Sequence, residues 1–233
     1  MSTQLDVYNS ALAYLGLSQR VQSLTEQSQQ NSVMGAFWDK ARKTVLEQCY
    51  WTLATKSAAL SLLLDQSLSA STAAIIYPGW RYIYARPTDC LKAQVVTTQF
   101  GIRANPWMSY WWQIANVAYG APLRGPFRPP WTEALDQINT PAGNSIDILT
   151  DQDGAWLIYT TDIVNIAIYP EVLADAVAWQ LSWMTAGPLS ASDKKAERAE
   201  KERLLALSRA LAQNLNEMQE DAYSESPSIQ ARL

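Results

Sequence analysis

Residues 153–187 read DGAWLIYTTDIVNIAIYPEVLADAVAWQLSWMTAG, and the pattern of this stretch changes from strand to helix along its length. An Asp-Gly pair is typical of a hairpin turn, so residues 155–161 are predicted to pair back on the preceding run, residues 145–150. The next apolar run, residues 163–168, predicts one more strand. Together with alternating segments upstream, these runs predict a small sheet of about four or five strands.

The second half of the same stretch predicts a buried helix. Pro170 stands where the first turn of a helix favours proline, and residues 171–186 are apolar nearly all round. A helix of this kind is typical of the centre of a bundle, so we expect Trp179 and Trp183 to be core residues. The Gly-Pro pair at 187–188 is predicted to end the helix.

The last predicted helix has two different halves. Residues 193–203 carry nine charges in eleven positions, which is typical of a solvated face, and Glu197 and Lys201 have the spacing of an i,i+4 ion pair. The following half carries an apolar stripe at three- and four-residue steps. This stripe favours core packing, with coiled-coil assembly as the alternative, and its members are Leu204, Leu207, Leu211, Leu215 and Met218.

Two amphipathic helices are predicted at the other end of the chain. Residues 4–16 place apolar side chains at helical spacing, and Thr3 with Asp6 forms a capping-box pattern before them. A second helix is predicted from Ser23 to about Gln48. To bury their apolar faces, the first and last helices of the chain have to pack together.

The region between the helices predicts strands interrupted by a loop-rich insertion. Residues 80–85 and 91–98 have strand patterning. Residues 105–131, NPWMSYWWQIANVAYGAPLRGPFRPPW, hold four tryptophans, two tyrosines, a phenylalanine and five prolines. Proline at this density excludes long regular elements, and the whole insertion is assigned to residues 99–143.

The order of these elements predicts an α+β fold. An antiparallel-type helical bundle is formed by the N- and C-terminal helices, residues 1–60 and 170–221. A small β-sheet domain, residues 61–169, carries the aromatic, loop-rich insertion. Residues 222–233 have neither periodicity nor core content and are predicted to form an extended C-terminal tail.

Composition argues against several classes of function. The chain has no histidine, which removes the commonest general base and metal ligand. Its two cysteines, Cys49 and Cys90, lack the spacing of metal ligands, and it has no phosphate-binding or nucleophile-elbow motif. The formal net charge of −4 opposes tight nucleic-acid binding, and no apolar run approaches the ~18 residues of a membrane span. We expect a soluble protein without cofactor or metal that is not an enzyme.

Several passages, in this order, resemble the head-to-tail adaptor proteins of short-tailed phages, the family that includes tail tubular protein A. The resemblance covers nearly the whole chain outside residues 99–143. The passages are VYNSALAYLG at 7–16, VLEQCYWTLATKSAAL at 45–60, YPGWRYIYARPTDCLK at 77–92, and the stretch at 153–187 quoted above.

This resemblance implies a structural virion protein. It would form an adaptor ring, commonly dodecameric, that joins the portal protein to the tail nozzle protein and forms part of the DNA ejection channel. Double-stranded DNA would pass through the lumen without sequence-specific binding. The resemblance also implies assembly in the host cytoplasm, a final location in the neck of the virion, and no membrane partner.

Three binding surfaces are expected. Members of the family grip the portal with their C-terminal segment, which implies portal contacts at Tyr223, Pro227, Ile229, Gln230, Arg232 and Leu233. The charged half of the last helix can make lateral subunit contacts by complementary ion pairs, through Lys194, Glu197, Arg198 and Lys201. The aromatic segment has the composition of an interface, so we expect nozzle or neighbouring-subunit contacts at Trp107, Tyr110, Trp111, Trp112 and Trp131. The alternative for this segment is that it covers its own sheet.

Two other functions fit parts of the sequence. A carbohydrate-binding or carbohydrate-degrading tail component would stack sugars on the aromatic segment and use paired acids such as Asp147, Asp151 and Asp153. Acids beside an Asp-Gly turn are, however, common turn formers. A single-strand nucleic-acid platform would stack bases on the same aromatics, but the arginines of the insertion are too few to line a phosphate channel.

Overall fold

The computed structural model describes residues 2–66, 77, 79–97, 130–135, 145–190 and 192–220. Within these ranges the fold is mixed α+β, with four α-helices and two antiparallel sheets. The chain divides into a helical unit, Met1–Ala54 with Asp162–Leu233, and a sheet unit, Thr55–Thr161. Residues 55–60 therefore belong with the sheets, and residues 162–169 belong with the helices.

Helix α1 (Gln4–Tyr14) begins at the predicted capping box. The backbone N–H of Asp6 donates to Oγ1 of Thr3 at 3.2 Å, and the backbone N–H of Thr3 donates to Oδ2 of Asp6 at 2.8 Å. Two donors that a helix start leaves unpaired are thereby satisfied. The helix ends before Gly16, whose φ of 66° favours glycine.

Helix α2 (Gln29–Gln48) begins later than predicted. Its N-cap is Ser28, whose Oγ accepts a hydrogen bond from the backbone N–H of Asn31 at 3.3 Å. The predicted start at Ser23 is wrong because the segment closes a short turn of its own, in which the N–H of Glu26 donates to the carbonyl of Ser23 at 3.1 Å. The same residue types favour a cap and a turn, so the pattern could not separate them.

Helix α3 (Glu171–Ser190) packs against α1, α2 and the last helix, α4 (Asp193–Glu220). The predicted end at Gly187 is wrong, since Pro188 lies inside the helix. The hydroxyl of Ser190 donates to the carbonyl of Ala186 at 2.6 Å, which satisfies one acceptor of this last turn.

The prediction that Trp183 is a core residue is also wrong. Trp183 is 36% exposed, and the guanidinium of Arg203 lies 5.0 Å from the centre of its ring. Trp179 is half-buried and stacks on Tyr14, with ring centres 4.0 Å apart and planes within 7°. The three packing helices leave one side of α3 open, and an aromatic ring under an arginine can occupy that side.

Helix α4 contacts α3 through small side chains. Its buried residues are Ala199, Ala206, Ala210 and Asn214. The leucine stripe lies on the flank of this contact: Leu204 is 52% exposed, and Leu207, Leu211 and Leu215 are half-buried. The prediction that the stripe is core is therefore wrong for Leu204. The alanines and the leucines of α4 both recur at helical spacing, so the pattern alone does not show which set is buried. The alanines are buried because small side chains allow the two helix backbones to approach more closely.

The sheet unit has seven described strands in two sheets. They are β1 (Thr55–Ala59), β2 (Ser61–Asp65), β3 (Tyr82–Ala85), β4 (Cys90–Thr97), β5 (Trp131–Leu135), β6 (Ile146–Thr150) and β7 (Trp156–Thr161). One sheet has the order β1-β7-β4 and the other has the order β2-β3-β6-β5. Strand β5 lies inside the predicted insertion at 99–143, so that part of the insertion is strand instead of loop.

The predicted hairpin of β6 and β7 is wrong, because the two strands belong to different sheets. The turn residue Gly154 has the expected positive φ of 59°. However, the hydroxyl of Tyr84 donates to the carbonyl of Gln152 at 2.9 Å and accepts from the N–H of Ala155 at 3.5 Å. Tyr84 of β3 thus fixes this turn as a connection between the two sheets. Such a connection uses the same turn residues as a hairpin, so the sequence could not distinguish the two.

Side chains of both sheets share one core. Tyr82, Tyr84 and Ile148 of one sheet pack with Leu157 and Tyr159 of the other in a single buried cluster. On the opposite face of the four-stranded sheet, the buried Ile83 and Leu149 pack with Tyr77 in a second cluster. Burial on both faces explains why β3 is apolar at every position.

Buried polar side chains of the helical unit fix two backbone segments: the one where the chain leaves this unit for the sheet unit, and the one where it returns. At the exit, Asn214 accepts hydrogen bonds from the N–H and the hydroxyl of Thr52, at 3.0 and 2.6 Å, and donates to the carbonyl of Tyr50 at 2.9 Å. At the return, Arg42 is 1% exposed and donates to the carboxylate of Asp162 and, at 2.8 Å, to the carbonyl of Ile163. Helices α4 and α2 therefore fix these two segments.

The Arg42 contact explains why residues 163–168 do not form the predicted strand. The carbonyl of Ile163 also accepts a hydrogen bond from the hydroxyl of Tyr169 at 2.8 Å, so two side chains occupy it. Residues Ile166–Ile168 instead form a 3₁₀ turn. Burial alone would raise the pKa of the Asp162 carboxyl, but hydrogen bonding and charge from Arg42 hold that pKa below its ordinary value.

We expect Trp179→Ala to destabilise the protein far more than Trp183→Ala. Trp179 loses its stacking on Tyr14 and leaves a cavity, for a cost of about 2–3 kcal/mol. Trp183→Ala removes an exposed ring and a cation–π contact, for a cost below about 1 kcal/mol. Urea denaturation of both variants measures the difference, and equal losses would show that α3 is oriented differently.

We expect Asp162→Asn to lower the free energy of unfolding by about 3 kcal/mol at pH 7, because the buried Arg42 loses its main counter-charge and keeps only the exposed carboxylate of Asp39. The folded pKa of Asp162 lies below its unfolded value of about 3.9. Its contribution is therefore complete above that value and is lost as the pH falls through the folded pKa. Urea titrations from pH 7 to pH 3 should show wild type and variant converging below about pH 4.

The matched control is Asp39→Asn. Asp39 also contacts Arg42, at 3.3 Å, but its side chain is 76% exposed, so its removal should change stability little. If the two variants behave alike, or if the Asp162→Asn difference does not depend on pH, Asp162 is not the counter-ion of Arg42.

Candidate functional site

Two of the three predicted surfaces lie largely outside the described residues. This is the case for all six predicted portal contacts, Tyr223, Pro227, Ile229, Gln230, Arg232 and Leu233. It is also the case for four of the five aromatic anchors, Trp107, Tyr110, Trp111 and Trp112.

The fifth aromatic anchor, Trp131, lies in β5. It is half-buried and packs against the core cluster shared by the two sheets. In the ladder its backbone lies opposite Thr150 of β6, whose hydroxyl donates to the carbonyl of Pro130 at 2.9 Å. Part of Trp131 thus serves its own unit, and the exposed remainder of the side chain is accessible to a partner.

Two of the three acids considered for sugar hydrolysis, Asp147 and Asp151, have structural roles. Asp147 is buried in β6, and the hydroxyl of Tyr77 donates to its carboxylate at 3.4 Å. Asp151 accepts the backbone N–H of Arg81 at 2.9 Å and so ties the turn before β7 to the residue before β3. Asp153 is exposed in the same turn as Asp151, whereas Asp147 is buried, so Asp147 cannot be one of the two accessible carboxyls that glycoside hydrolysis requires.

A polar cluster on the sheet unit has a similar structural role. Asp89 accepts hydrogen bonds from Nζ of Lys56 at 2.6 Å, the hydroxyl of Tyr159 at 2.9 Å and the hydroxyl of Thr161 at 3.2 Å. The hydrogen bond from Lys56 is the main reason why the pKa of Asp89 lies below its ordinary value. The carboxylate thus joins the turn before β4 to β1 and β7, and both of its oxygens accept hydrogen bonds.

The four predicted lateral residues are all exposed on α4. They are Lys194, Glu197, Arg198 and Lys201. In the part of the chain that the structure describes, none of them forms an ion pair within 4 Å, so the expected pair of Glu197 with Lys201 is absent. Charges that are not used within the subunit are available to a partner.

The charges of α4 separate into two lines along the helix. We call the first the basic line; it follows steps of four and three residues and contains no acid, and its members are Lys194, Arg198, Lys201, Leu205 and Arg209. All five are exposed and lie on the side away from the alanines that contact α3. The neighbouring line carries Asp193, Glu197 and Glu200 and continues into Leu204. Sequence analysis found the charges but missed their separation, which helical spacing alone could have revealed.

An acidic cleft lies between α1 and α3. It has a volume of about 180 Å³ and is lined by Ser2, Asp6, Val7, Ser10, Glu171, Ala174, Asp175 and Ala178. The hydroxyl of Tyr14 donates to the carboxylate of Asp175, and burial and this carboxylate raise the pKa of Tyr14. Hydrogen bonds from Thr3 lower the pKa of Asp6. Glu171 is exposed at the start of α3.

The sequence gave no signal for this cleft, because its two walls come from residues about 170 positions apart. Across the described ranges, no cluster of carboxyl, thiol or imidazole groups is arranged to hold a metal ion. The helices in these ranges are also too short or too polar to span a membrane.

Comparisons with known proteins do not identify a relative. No family model matches the chain, and no curated protein matches it significantly. Function therefore has to be inferred from the residues and their placement.

Proposed function

We propose that this chain is a structural virion protein of a short-tailed phage, a head-to-tail adaptor that forms a ring between the portal and the tail nozzle. The observation that carries the proposal is α4. This 28-residue helix packs on α3 by one alanine-lined side and exposes unpaired charges and two leucines on its other sides. In the sequence it is followed directly by the C-terminal tail. A helix with so much unused surface is suited to assembly.

Ring formation needs a contact between different faces of neighbouring copies, since only such a heterologous contact can close a ring of more than two subunits. The exposed charges at Lys194, Glu197, Arg198 and Lys201 supply lateral contacts in this proposal. The family resemblance favours a dodecamer. The net charge of −4 suits a channel wall that double-stranded DNA passes without binding to it.

The proposed ring has a partner at each end. The C-terminal tail binds the portal, and ordering it there costs entropy that a preformed groove has to offset. The sheet unit and its aromatic segment contact the nozzle, as the family resemblance suggests. The proposed role requires no catalysis, cofactor, metal or membrane, and the structural roles of Asp89, Asp147 and Asp151 support it over the sugar-degrading alternative.

Deletion of residues 222–233 should abolish binding to the portal and leave the fold intact. The last helix ends at Glu220, and the described core lies within the residues before it. Thermal denaturation and pull-down on the purified portal measure the two effects, with Ile229→Ser plus Leu233→Ser in the full-length chain as a matched variant. Normal portal binding by the truncated protein would contradict the tail's role.

In the assembled neck, Trp111 and Trp112 should lie against the nozzle or a neighbouring adaptor subunit. Prolines lower the entropy cost of presenting such side chains, and tryptophan is enriched among residues that dominate binding energy. Trp111→Ala plus Trp112→Ala should therefore weaken nozzle attachment at least about tenfold, with portal binding unchanged. A structure of the neck in which the side chains of Trp111 and Trp112 are buried wholly within their own subunit would overturn this prediction.

A glycan-binding screen on the purified protein tests the alternative function. A carbohydrate-binding tail component would retain specific sugars, whereas the adaptor should retain none. A specific sugar whose binding is lost in the Trp111→Ala plus Trp112→Ala variant would favour the alternative over the adaptor.

A further inference from the structure

The basic line of α4 has no acidic counterpart within its own subunit. Arg198 and Lys201 are both exposed, lie about one helical turn apart, and form no ion pair with any residue that the structure describes. Leu205, one turn further on, is 42% exposed. This side of α4 therefore offers two cations followed by an apolar side chain.

The acidic cleft offers the complementary pattern. Glu171 and Asp175 lie about one turn apart on α3, so the carboxylates have nearly the spacing of the two cations. Val7, Ala174 and Ala178 are almost fully buried beneath the cleft, so the surface that it offers to a partner is mainly polar and acidic. The match is therefore one of charge and spacing.

The two surfaces lie on different sides of the helical unit. The α3 residues in the cleft with α1 are Ala174, Asp175 and Ala178. The α3 residues that meet α4 are on another side of the helix: Leu173 lies beside Ala210, and Gln180 accepts a hydrogen bond from Arg203 at 3.2 Å. One subunit therefore cannot bring its own basic line to its own cleft.

We infer that the basic line of one copy docks into the acidic cleft of a second copy, with Arg198 and Lys201 facing Glu171 and Asp175. The inference rests on the ring of the proposed function and names the two faces that meet in it. Because the faces differ, each copy keeps one free surface of each kind, and the contact can repeat head to tail.

A second copy fits the basic line better than a nucleic acid does. The line runs for about 22 Å and carries four cations, but acids occupy the adjacent line on the same helix, and the whole chain has a net charge of −4. Binding to a phosphate backbone needs concentrated positive charge. The required negative partner surface is present on the same protein.

The test compares two double variants with the same change in charge. Arg198→Glu plus Lys201→Glu alters the basic line, whereas Arg20→Glu plus Lys40→Glu alters two exposed cations elsewhere in the helical unit. Sedimentation equilibrium of the full-length protein at up to about 100 µM and about 50 mM salt measures self-association. Wild type and control should associate alike, and the basic-line variant should associate at least about tenfold more weakly.

A complementation experiment identifies the partner surface. Glu171→Lys should weaken association as the basic-line variant does. An equimolar mixture of these two variants should restore association between unlike copies, because the unaltered basic line of the Glu171→Lys protein then meets the unaltered acidic cleft of the other variant. A purely structural defect in either variant would not be repaired by mixing, and circular dichroism of each protein checks the fold.

Three results would overturn the inference: a wild-type protein that stays monomeric under these conditions, a basic-line variant that associates like wild type, or a mixture that does not recover. Portal binding is measured in parallel, because it depends on the tail. Failed self-association with intact portal binding would reject these two faces and leave the adaptor role standing. A wild type that does not bind the portal would reject the adaptor role itself.

Discussion

The guanidinium of Arg42 is buried in the helical unit, and a buried charge needs a counter-charge close by. The carboxylate that supplies it belongs to Asp162, 120 residues later in the chain. The same guanidinium donates to the carbonyl of Ile163, so it fixes the backbone where the chain re-enters the helices. Asn214 fixes the departing segment in the same way through Tyr50 and Thr52. The packing of α3 depends on this return, since α3 begins only eight residues after Ile163.

Polar clamps of this kind limit what a sequence pattern can predict. The capping box of α1 was predicted because all of its partners lie within three residues of each other. The strand predicted at 163–168 was wrong because its first carbonyl is occupied by Arg42 and Tyr169, which are distant or outside the pattern. Likewise, the Asp-Gly turn was found, but the hydroxyl of Tyr84 decides that it is a corner between sheets. Local chemistry fixes local geometry, whereas pairing depends on contacts distant in sequence.

The two candidate surfaces also differ in whether they could be predicted from the sequence. The exposed charges of α4 follow from helical spacing and were predicted from the sequence. The sequence did not predict that the alanines of α4, instead of its leucines, are buried. Both sets of residues recur with the helical period, and which set is buried depends on how closely α3 approaches. The cleft could not be predicted at all, since Asp6 and Glu171 meet only after α1 and α3 pack. The basic line is therefore formed by residues close together in sequence, whereas the acidic cleft is formed by residues that only the fold brings together.

Exposed ion pairs contribute only about 0–1 kcal/mol each, so a lateral contact built on two such pairs is weak for free subunits. Weakness suits a ring that has to form at one place in the virion. A portal that binds each tail holds neighbouring subunits close together, and effective concentrations in such arrangements reach the millimolar range. At that concentration a contact that only part of the free subunits form at about 100 µM becomes fully occupied. The strong hydrogen bonds within the subunit and the weak ion pairs between subunits would then allow each subunit to fold alone, to associate partly in concentrated solution and to complete the ring where the portal binds it.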